Sequence, residues 1–545
     1  MATYGIDLGT TYSCIAYVND TNRAVVVKNA VGEDSTPSVV FFETDDNVVI
    51  GREAKNSARI YPNLVVSLIK RRMGEDDVEL EFHGAVHTPV TISALILREL
   101  CQSAEQNTHE DVRDVVITVP AYFGVRAREA TRAAGEIAGL NVLNVIPEPV
   151  AAALHYEAIS TDADRTILVY DLGGGTFDTT AIRIEGQDIS VVCTDGDHKL
   201  GGADWDERIA DLLLKQFVEE HPGTEAAVSE DFLQELATAA EDMKRALSSL
   251  ETRRYNARFA DEVSRIELTR TVFENATADL LERTFTITGR TIDEARQRGV
   301  TSFDDVLLVG GSTRMPAVAE GLRSRFGFTP KLHDPDLAVA KGAALFALIE
   351  SVKIALPAGA EAGPGGAGPS PEDMETAAAQ LGVDTDSLRG LIGKKVTAVV
   401  PRAFGVKILT TAGDAEADDD GFLIDHLLHA NAVLPAAPPT QTYGTVEDGQ
   451  TGISVEIWEQ AGARESRRVL DNEKIGNGTI TDLPPLPKGS PVAISFAMDE
   501  MGTLRVHAVE TTTGKDLDIE LAIGGLSPED MGQARTAVGK YTVGA

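Results

Sequence analysis

The sequence predicts an α/β region made of two similar lobes, followed by an antiparallel all-β domain, most simply a sandwich. A strand that runs into a tight turn with glycine and threonine occurs twice, as GIDLGTTYS at 5–13 and YDLGGGTFD at 170–178. Around these copies, strand and helix patterns alternate, which is typical of an α/β sheet. From about residue 394, short strand-like runs separated by Gly, Asp and Pro take over, which is typical of a β-sandwich.

The first lobe is predicted at about 1–165. Its opening runs YGIDL, CIAYV, AVVV and SVVFF are strand-like, and 54–74 and 91–106 have helical spacing of apolar residues. DVVITVPAYF predicts a strand, VRAREATRAAGEIAGL predicts a helix that ends near Gly139, and VLNVIPEPVAAALHYEA predicts a strand, a turn and a helix.

The second lobe, at about 166–353, restarts this pattern and closes the predicted nucleotide-binding domain of 1–353. TILVYDLGGGTFDTTAIRI predicts the hairpin, two amphipathic helices follow, and VLLVGGSTRMP predicts a strand, a Gly-Gly turn and a helix start. We assign 354–393 to a Gly/Pro-rich linker with a short helix capped by Ser370, 394–526 to the β domain, and 527–545 to a C-terminal helix and tail.

Length and charge limit the function classes. A chain of 545 residues is too long for one core, and a net charge of −36 repels nucleic acid and anionic membrane surfaces. The three cysteines are far apart in apolar surroundings, so we expect buried, reduced thiols. The N-terminus resembles no signal peptide and the most apolar run, 342–349, is too short to span a bilayer, so we expect a cytoplasmic protein.

The two hairpins have the chemistry of a phosphate site. Glycines let backbone N–H groups approach phosphate oxygens closely, and aspartates at the strand ends make sense beside phosphate if they hold Mg²⁺. A plain turn explains one such hairpin equally well, but two at the spacing of a duplicated lobe favour the phosphate interpretation. The Gly310-Gly311 turn, with a helix N-terminus behind it, adds a weaker third element.

Other motifs are weaker. His426 and His429 lie three apart and would face opposite sides of a strand, so a metal site there is disfavoured. The acidic run ADDDG at 417–421 is best interpreted as a solvated loop, and the sequence contains no Walker motif and no serine-hydrolase elbow.

In sequence, the chain resembles the 70-kDa heat-shock chaperone family. GIDLGTTYSC, VVITVPAYF, VIPEPVAAALHY, VYDLGGGTFD, LGGADWD and LLVGGSTRMP occur in the order of that family, and the β region is similar to its peptide-binding domain. The resemblance implies a two-lobed actin-like (ribonuclease-H-like) fold, an ATPase that uses ATP/ADP and Mg²⁺, and a peptide affinity that depends on the nucleotide state.

The resemblance also implies residue roles. Asp7 and Asp171 would organise Mg²⁺, largely through water; Lys70 would reach the γ-phosphate, and Glu148 would position the attacking water. The phosphate side would be completed by Gly9, Thr10, Thr11, Tyr12, Gly173, Gly174, Gly175, Thr176, Gly201 and Gly202. The nucleoside would lie between Glu241, Lys244, Arg245 and Ser248 on one side and Gly310, Gly311, Ser312, Arg314 and Asp336 on the other.

On the β domain the resemblance implies a peptide cleft. It would be lined by Val406, Leu409, Tyr443, Val446, Ile453 and Val455. A place in the sandwich core is a serious alternative for Ile453 and Val455, because alternate residues of a strand are buried in any case. Expected partners are unfolded or extended polypeptides, with J-domain and nucleotide-exchange co-chaperones.

Three departures from the family pattern bear on mechanism. The segment after Lys70 is short. A Gly/Pro-rich stretch with a predicted helix replaces the family's linker, and Ala398 stands where the family has Asp. Only a short helix is predicted after the β domain instead of a helical lid. Arg128 would then lack its interdomain partner, and bound peptide would exchange quickly. The alternative function is a scaffold for one dedicated partner protein; a sugar-kinase relative would leave the β domain unexplained.

Overall fold

Two lobes, a linker, a β domain and a C-terminal segment make up the molecule. The computed structural model describes residues 3–544 apart from 76, 159–163, 187, 333, 357–368, 382–384, 386–387, 389–393, 411–413, 415, 463, 501 and 522–527. Within the described residues, no helix combines the length and the apolar character that a bilayer crossing requires.

The first lobe contains the elements that the alternating pattern predicts. Its strands are β1 (Tyr4–Asp7), β2 (Tyr12–Val18), β3 (Ala24–Val27), β4 (Thr36–Pro37), β5 (Val40–Phe42), β6 (Asn47–Ile50), β7 (Val65–Val66), β8 (Leu80–Phe82), β9 (Ala85–His87), β10 (Asp114–Val119) and β11 (Asn141–Pro147). Its helices are α1 (Arg52–Ser57), α2 (Pro89–Thr108), α3 (Val125–Ile137) and α4 (Glu148–Ala158), with 3₁₀ turns at Pro62–Leu64 and Ile69–Arg72.

The second lobe repeats this plan. Its strands are β12 (Arg165–Leu172), β13 (Phe177–Glu185), β14 (Asp188–Asp197), β15 (Thr252–Phe259), β16 (Glu262–Thr269), β17 (Asp305–Val309) and β18 (Lys331–Leu332). Its helices are α5 (Gly202–Glu220), α6 (Glu230–Leu247), α7 (Arg270–Ala276), α8 (Ala278–Gln297), α9 (Pro316–Phe326) and α10 (Ala338–Ala355), with 3₁₀ turns at Glu225–Val228 and Gly311–Arg314.

The main sheets of the two lobes have the same strand order. The first runs β11-β10-β1-β2-β3, and the second runs β18-β17-β12-β13-β14 and continues into one further strand. In both, an antiparallel hairpin is followed by parallel neighbours, so β12 takes the place of β1 and β17 that of β10. This match explains why the glycine hairpin occurs twice in the sequence.

Helices α4 and α10 pack in one core with strands of both lobes, and they approach closely because their contact residues are small. A Cβ at Gly342 would lie 1.7 Å from the carbonyl oxygen of Ala151, and a Cβ at Gly5 would lie 2.0 Å from the nitrogen of Ala344. The lobes therefore meet through backbone-to-backbone contact at this crossing.

The helix expected over 54–74 was wrong. Only Arg52–Ser57 is α-helical there, and Val65–Val66 forms β7, which pairs with β5. Pro62 begins a 3₁₀ turn and Leu68 adopts a left-handed φ of 57°, so the chain cannot continue as a helix despite its apolar spacing.

The linker contributes α11 (Pro371–Leu381) and β19 (Lys395–Thr397). Ser370 caps α11, since its Oγ accepts a hydrogen bond from the backbone N–H of Asp373 at 3.1 Å. The strand prediction at 395 was right, but β19 pairs in parallel with β14 and so belongs to the second-lobe sheet rather than to the β domain. Much of 354–393 lies outside the described residues.

The β domain is a sandwich of two four-stranded sheets. Its strands are β20 (Phe404–Leu409), β21 (Phe422–Leu428), β22 (Gln441–Gly444), β23 (Ile453–Gln460), β24 (Asn472–Ile480), β25 (Pro491–Met498), β26 (Leu504–Glu510) and β27 (Lys515–Leu521), with a 3₁₀ turn at Val469–Asp471. The sheet orders are β21-β20-β23-β24 and β22-β25-β26-β27. The inward residues of both sheets share one apolar core.

The chain continues into α12 (Pro528–Gly539) and β28 (Thr542–Gly544). The helix lies within the segment predicted as helical, but the strand was not predicted. It pairs in parallel with β6 of the first lobe.

The β domain packs against both lobes. The Tyr122 hydroxyl donates to the carbonyl of Gly462 at 2.9 Å, and the backbone N–H of Val125 donates to buried Glu459 at 3.2 Å. On the second lobe, the backbone N–H of Thr194 donates to the side chain of Asn431 at 2.9 Å. The three cysteines, in the lobes, are buried with free thiols.

Candidate nucleotide site

The two hairpins touch each other across the cleft between the lobes. The backbone N–H of Gly173 donates to the carbonyl of Thr176 at 3.0 Å, which closes the second turn. At Gly174 a Cβ would lie 2.0 Å from Thr11 Oγ1, and at Gly175 it would lie 2.2 Å from Thr10 Cγ2. Glycine is therefore required in the second copy because the threonines of the first copy occupy the space.

Below the hairpins lies a cluster of buried carboxylates around one lysine. Lys70 Nζ lies 2.6 Å from Glu148 Oε1, and both side chains are nearly inaccessible. Asp7, at the end of β1, accepts a hydrogen bond from the Thr118 hydroxyl at 3.1 Å. Asp171 is buried at the equivalent position of β12. The cluster carries more negative than positive charge, so it is suited to a cation.

The electrostatics of the cluster support this conclusion. Burial raises the pKa of the Asp7 carboxyl to about 7, and the charge of Glu148 adds to the increase while Lys70 opposes it. Burial raises the pKa of Asp171 well above its usual range, with further contributions from Glu148 and Asp178. Carboxylates that resist ionisation in isolation are stabilised in their charged form by a divalent cation, and oxygen ligands are those that Mg²⁺ prefers.

The opposite side of the cleft is formed by α6 and the 3₁₀ turn after β17. Glu241 joins the lobes there, because it accepts hydrogen bonds from the Tyr12 hydroxyl at 3.0 Å and from Lys55 at 2.5 Å. The guanidinium of Arg245 lies 4.8 Å from the centre of the Tyr12 ring. Arg314 forms an ion pair with Asp336.

These groups line one cavity of about 690 Å³, a volume suited to a nucleotide. The predicted nucleotide-site residues that line it are Asp7, Gly9, Thr10, Thr11, Tyr12, Lys70, Glu148, Asp171, Gly173, Gly174, Thr176, Glu241, Lys244, Arg245, Ser248, Gly310, Gly311, Ser312, Arg314 and Asp336.

Three predicted residues are not part of the cavity lining. They are Gly175, within the second hairpin where it meets Thr10, and Gly201 and Gly202 behind that hairpin. A Cβ at Gly201 would lie 2.5 Å from the backbone of Gly175, and the backbone N–H of Gly202 donates to the carbonyl of Gly173 at 2.9 Å. These glycines support the turn.

Lys244 is held differently from the expectation of a nucleoside contact. Its Nζ donates to the carbonyl of Gly202 at 2.7 Å and to Asp206 at 2.8 Å. Lys244 therefore fixes the start of α5 and at the same time lines the cavity.

Asp178, Arg71 and Lys55 were not among the predicted site residues. Asp178 pairs with Asp171 in the second hairpin and accepts the backbone N–H of Tyr122 at 3.0 Å; burial and then the charge of Glu148 raise the pKa of Asp178 to about 8. Arg71 donates to the carbonyl of Gly175 at 2.8 Å and forms an ion pair with Asp204 at 2.5 Å. Asp178 was visible in the motif YDLGGGTFD, whereas the two cations follow no motif.

The six predicted peptide-contact residues divide by burial. Val406, Ile453 and Val455 lie in the sandwich core, as the alternative interpretation holds for the latter two. Tyr443 is half-buried and its hydroxyl donates to Asp425 at 2.8 Å. Leu409 and Val446 are 45% and 42% exposed. A bound peptide could therefore contact these two without disturbing the core.

Arg128 and the two histidines of the β domain have defined partners. Arg128 is half-buried and donates to the carbonyl of Val145 at 2.8 Å, and desolvation lowers its pKa to about 10. It lines a small cavity together with Ala398 and Gly502. The Val145 carbonyl accepts its hydrogen bond, whereas position 398, where the family has Asp, offers no carboxylate. His426 and His429 contact different partners, Asn472 at 3.0 Å and Glu465 at 2.9 Å.

Comparison with known proteins identifies the family. The family model described as Hsp70 protein matches residues 3–355 and 417–537. The chain belongs to the Hsp70 family. It is 34% identical over 536 residues to the chaperone protein DnaK of Halobacterium salinarum, in strains R1 and NRC-1 alike, which covers 97% of this chain and 76% of each relative. Family membership supports a chaperone function in general, and the expected fold class and family are confirmed.

Proposed function

We propose that the chain is an ATP-hydrolysing chaperone that binds ATP with Mg²⁺ between its lobes and extended hydrophobic polypeptide segments on its β domain. The observation that carries the proposal is the buried cluster of Asp7, Glu148 and Asp171 around Lys70, beneath two touching hairpins. Bare backbone amides above and an excess of carboxylates below are what a metal-bound triphosphate requires.

The cluster fits Mg²⁺ by its donor set. Asp7 and Asp171 would hold the ion, largely through water, since Mg²⁺ keeps several waters. When bound, Mg²⁺ neutralises charge on the phosphates. The amides of the two hairpins and the hydroxyls of Thr10 and Thr176 would bind the phosphate oxygens.

Lys70 and Glu148 would work as a unit in the hydrolysis. Glu148 fixes Lys70 at 2.6 Å, so the ammonium group can stabilise negative charge on the γ-phosphate in the transition state. Water attacks the γ-phosphorus, the bond to the β,γ-bridging oxygen breaks, and the products are ADP, inorganic phosphate and a proton.

The test is ATP hydrolysis by the purified chain with Mg²⁺, measured as released phosphate. We expect slow turnover that falls by ~10²–10³-fold in Lys70→Met, because a charge-stabilising group is lost. Lys215→Met is the matched control, since Lys215 is exposed on α5 away from the cavity. Failure to bind ATP in the presence of Mg²⁺ would refute the enzyme function.

For the β domain, a specific observation also favours the alternative of a scaffold for one dedicated partner. Three of the six predicted peptide-contact residues are buried in the core, which leaves Leu409 and Val446 as the exposed apolar contacts of the set. A fluorescent hydrophobic peptide titrated with and without ATP decides between the two functions. Binding that changes with ATP supports the chaperone, with co-chaperones and a cytoplasmic location to be tested next. Capture of a single partner without peptide binding supports the scaffold.

A further inference from the structure

The C-terminal segment, residues 528–544, is bound to the first lobe by main-chain pairing. β28 adds to the edge of the small sheet β28-β6-β5-β7, with Thr542 opposite Asn47 and Gly544 opposite Val49. The backbone N–H of Thr542 donates to the carbonyl of Asp46 at 2.9 Å. The pairing covers the edge strand β6, whose N–H and C=O groups would otherwise face solvent.

Side chains of the segment are part of the first-lobe core. Val538 and Tyr541 are 1% and 3% exposed, and Met531 and Ala534 pack against the same cluster. The Tyr541 hydroxyl lies 3.0 Å from Nε2 of buried His87, although the two residues are 454 positions apart. The lobe core is therefore completed by residues from the far end of the chain.

Polar anchors hold the end of α12. Arg98 of α2 donates to the carbonyls of Val538 at 2.5 Å and Tyr541 at 3.3 Å. The last carbonyls of a helix have no partner within the helix, so a cation in this position satisfies them. Arg535 in turn donates to the carbonyl of Glu136 near the end of α3 at 3.2 Å.

The other end of the β domain is attached as well. β19 pairs with β14 of the second lobe, and Lys394, the residue just before β19, forms an ion pair with Glu157 of α4. Only seven residue steps separate Leu521 of β27 from Pro528 of α12, so with α12 bound they span at most about 25 Å. The β domain is thus tied to the second lobe before its first strand and to the first lobe after its last.

We propose that residues 528–544 form an intramolecular strap whose binding site on the first lobe is β6, α2 and α3, and that this strap keeps the β domain docked in every nucleotide state. The family match ends at residue 537, so the contacts made by Val538, Tyr541 and β28 lie outside it. While the strap is bound to the first lobe, the β domain can shift only locally relative to the lobes. The strap is independent of ATP hydrolysis, because its contacts, as far as the structure describes them, lie outside the lining of the nucleotide cavity.

The first test is hydrogen exchange in the full chain without nucleotide. We expect slow exchange in 528–544 and in 47–50. Tyr541→Ala should make both segments exchange about 100-fold faster, since it removes a buried aromatic side chain. Thr542→Pro removes the N–H bonded to Asp46 without altering the lobe itself, and it should expose 542–544 and 47–50 in the same way. Thr536→Ala, at an exposed position of α12, is the control and should change neither.

The second test measures docking. Dyes on Glu79→Cys of the first lobe and Thr511→Cys of the β domain report their distance by energy transfer, and the native thiols are buried. We expect one distance without nucleotide, with ADP and with ATP, and a longer population in at least one of these states in Thr542→Pro. Fast exchange of 528–544 in the wild type, an unchanged Thr542→Pro, or a wild-type distance that lengthens on adding nucleotide would overturn the strap. The measurements without nucleotide keep this result separate from any failure of the ATPase proposal.

Discussion

Gly175 is the position at which one methyl group tests whether the hairpins must touch. A Cβ there would lie 2.2 Å from Thr10 Cγ2 and 2.6 Å from Thr10 Cβ. Carbon atoms in ordinary contact are about 3.5 Å apart. Gly175→Ala therefore forces the two hairpins to separate by about 1 Å, although it changes no charge and removes no hydrogen-bonding group.

A shift of this size should act on the chemical step more than on binding. Misplacing reacting groups by about 1 Å can cost ~10²-fold in rate. The contacts around Glu241 on the nucleoside side are untouched, so we expect kcat to fall about 100-fold while KM for ATP changes by less than about tenfold.

Single-turnover hydrolysis of ATP, with circular dichroism to check folding, measures the effect. Gly289→Ala is the control, because the nearest atom to a Cβ at this helical position is Phe326 Cε1 at 4.0 Å. A folded Gly175→Ala protein that hydrolyses ATP within threefold of the wild-type rate would refute the requirement for contact between the hairpins.

Three further predictions concern stability and release. Burial, with a smaller effect from Lys540, lowers the pKa of His87 from 6.5 to about 4. Between these pH values the unfolded chain binds a proton more readily than the folded chain, so the free energy of unfolding should fall by up to about 3 kcal/mol as the pH drops from 6.5 to 4. Urea unfolding should show less of this loss in His87→Gln. Lys55→Met breaks a lobe-to-lobe ion pair, so stopped-flow release of fluorescent ADP should accelerate about fivefold, whereas Lys28→Met, which breaks a pair within one lobe, should leave it unchanged. Gly342→Ala overpacks the helix crossing and should lower the free energy of unfolding by ~1–3 kcal/mol, with no loss contradicting the 1.7 Å approach.

The site could be predicted to the extent that its parts are local. Asp7 and Asp171 end strands that run directly into glycine turns, so sequence order alone places carboxylates beside the bare backbone amides of those turns. Lys70 was assigned by resemblance. Its partnership with Glu148 depends on the 3₁₀ turn at Ile69–Arg72, which no local pattern predicts.

Pairings with distant partners could not be predicted. The strand β19 was predicted, but its pairing with β14 of the second lobe was not. β28 has three residues, which is too short for a periodic pattern, and it pairs with the remote strand β6. The segment 54–74 shows the opposite error. Its apolar residues have helical spacing, but pairing of β7 with β5 decides the backbone. Lys55 and Arg71 each form an ion pair with a residue of the other lobe, so their roles depend on how the two lobes meet and not on a local pattern.

Among the positions at which the two hairpins differ, one makes the two sides of the cleft unequal in charge. Asp171 is paired with Asp178 across its hairpin, whereas Asp7 is paired with Cys14. A carboxylate at position 14 would face the charges of Asp7, Asp334 and Asp336; burial, and after it these charges, raise the pKa of the Cys14 thiol. The fold repeats its backbone but not its charge, so a ligand with one anionic end and one neutral end cannot enter the two ways round with equal ease.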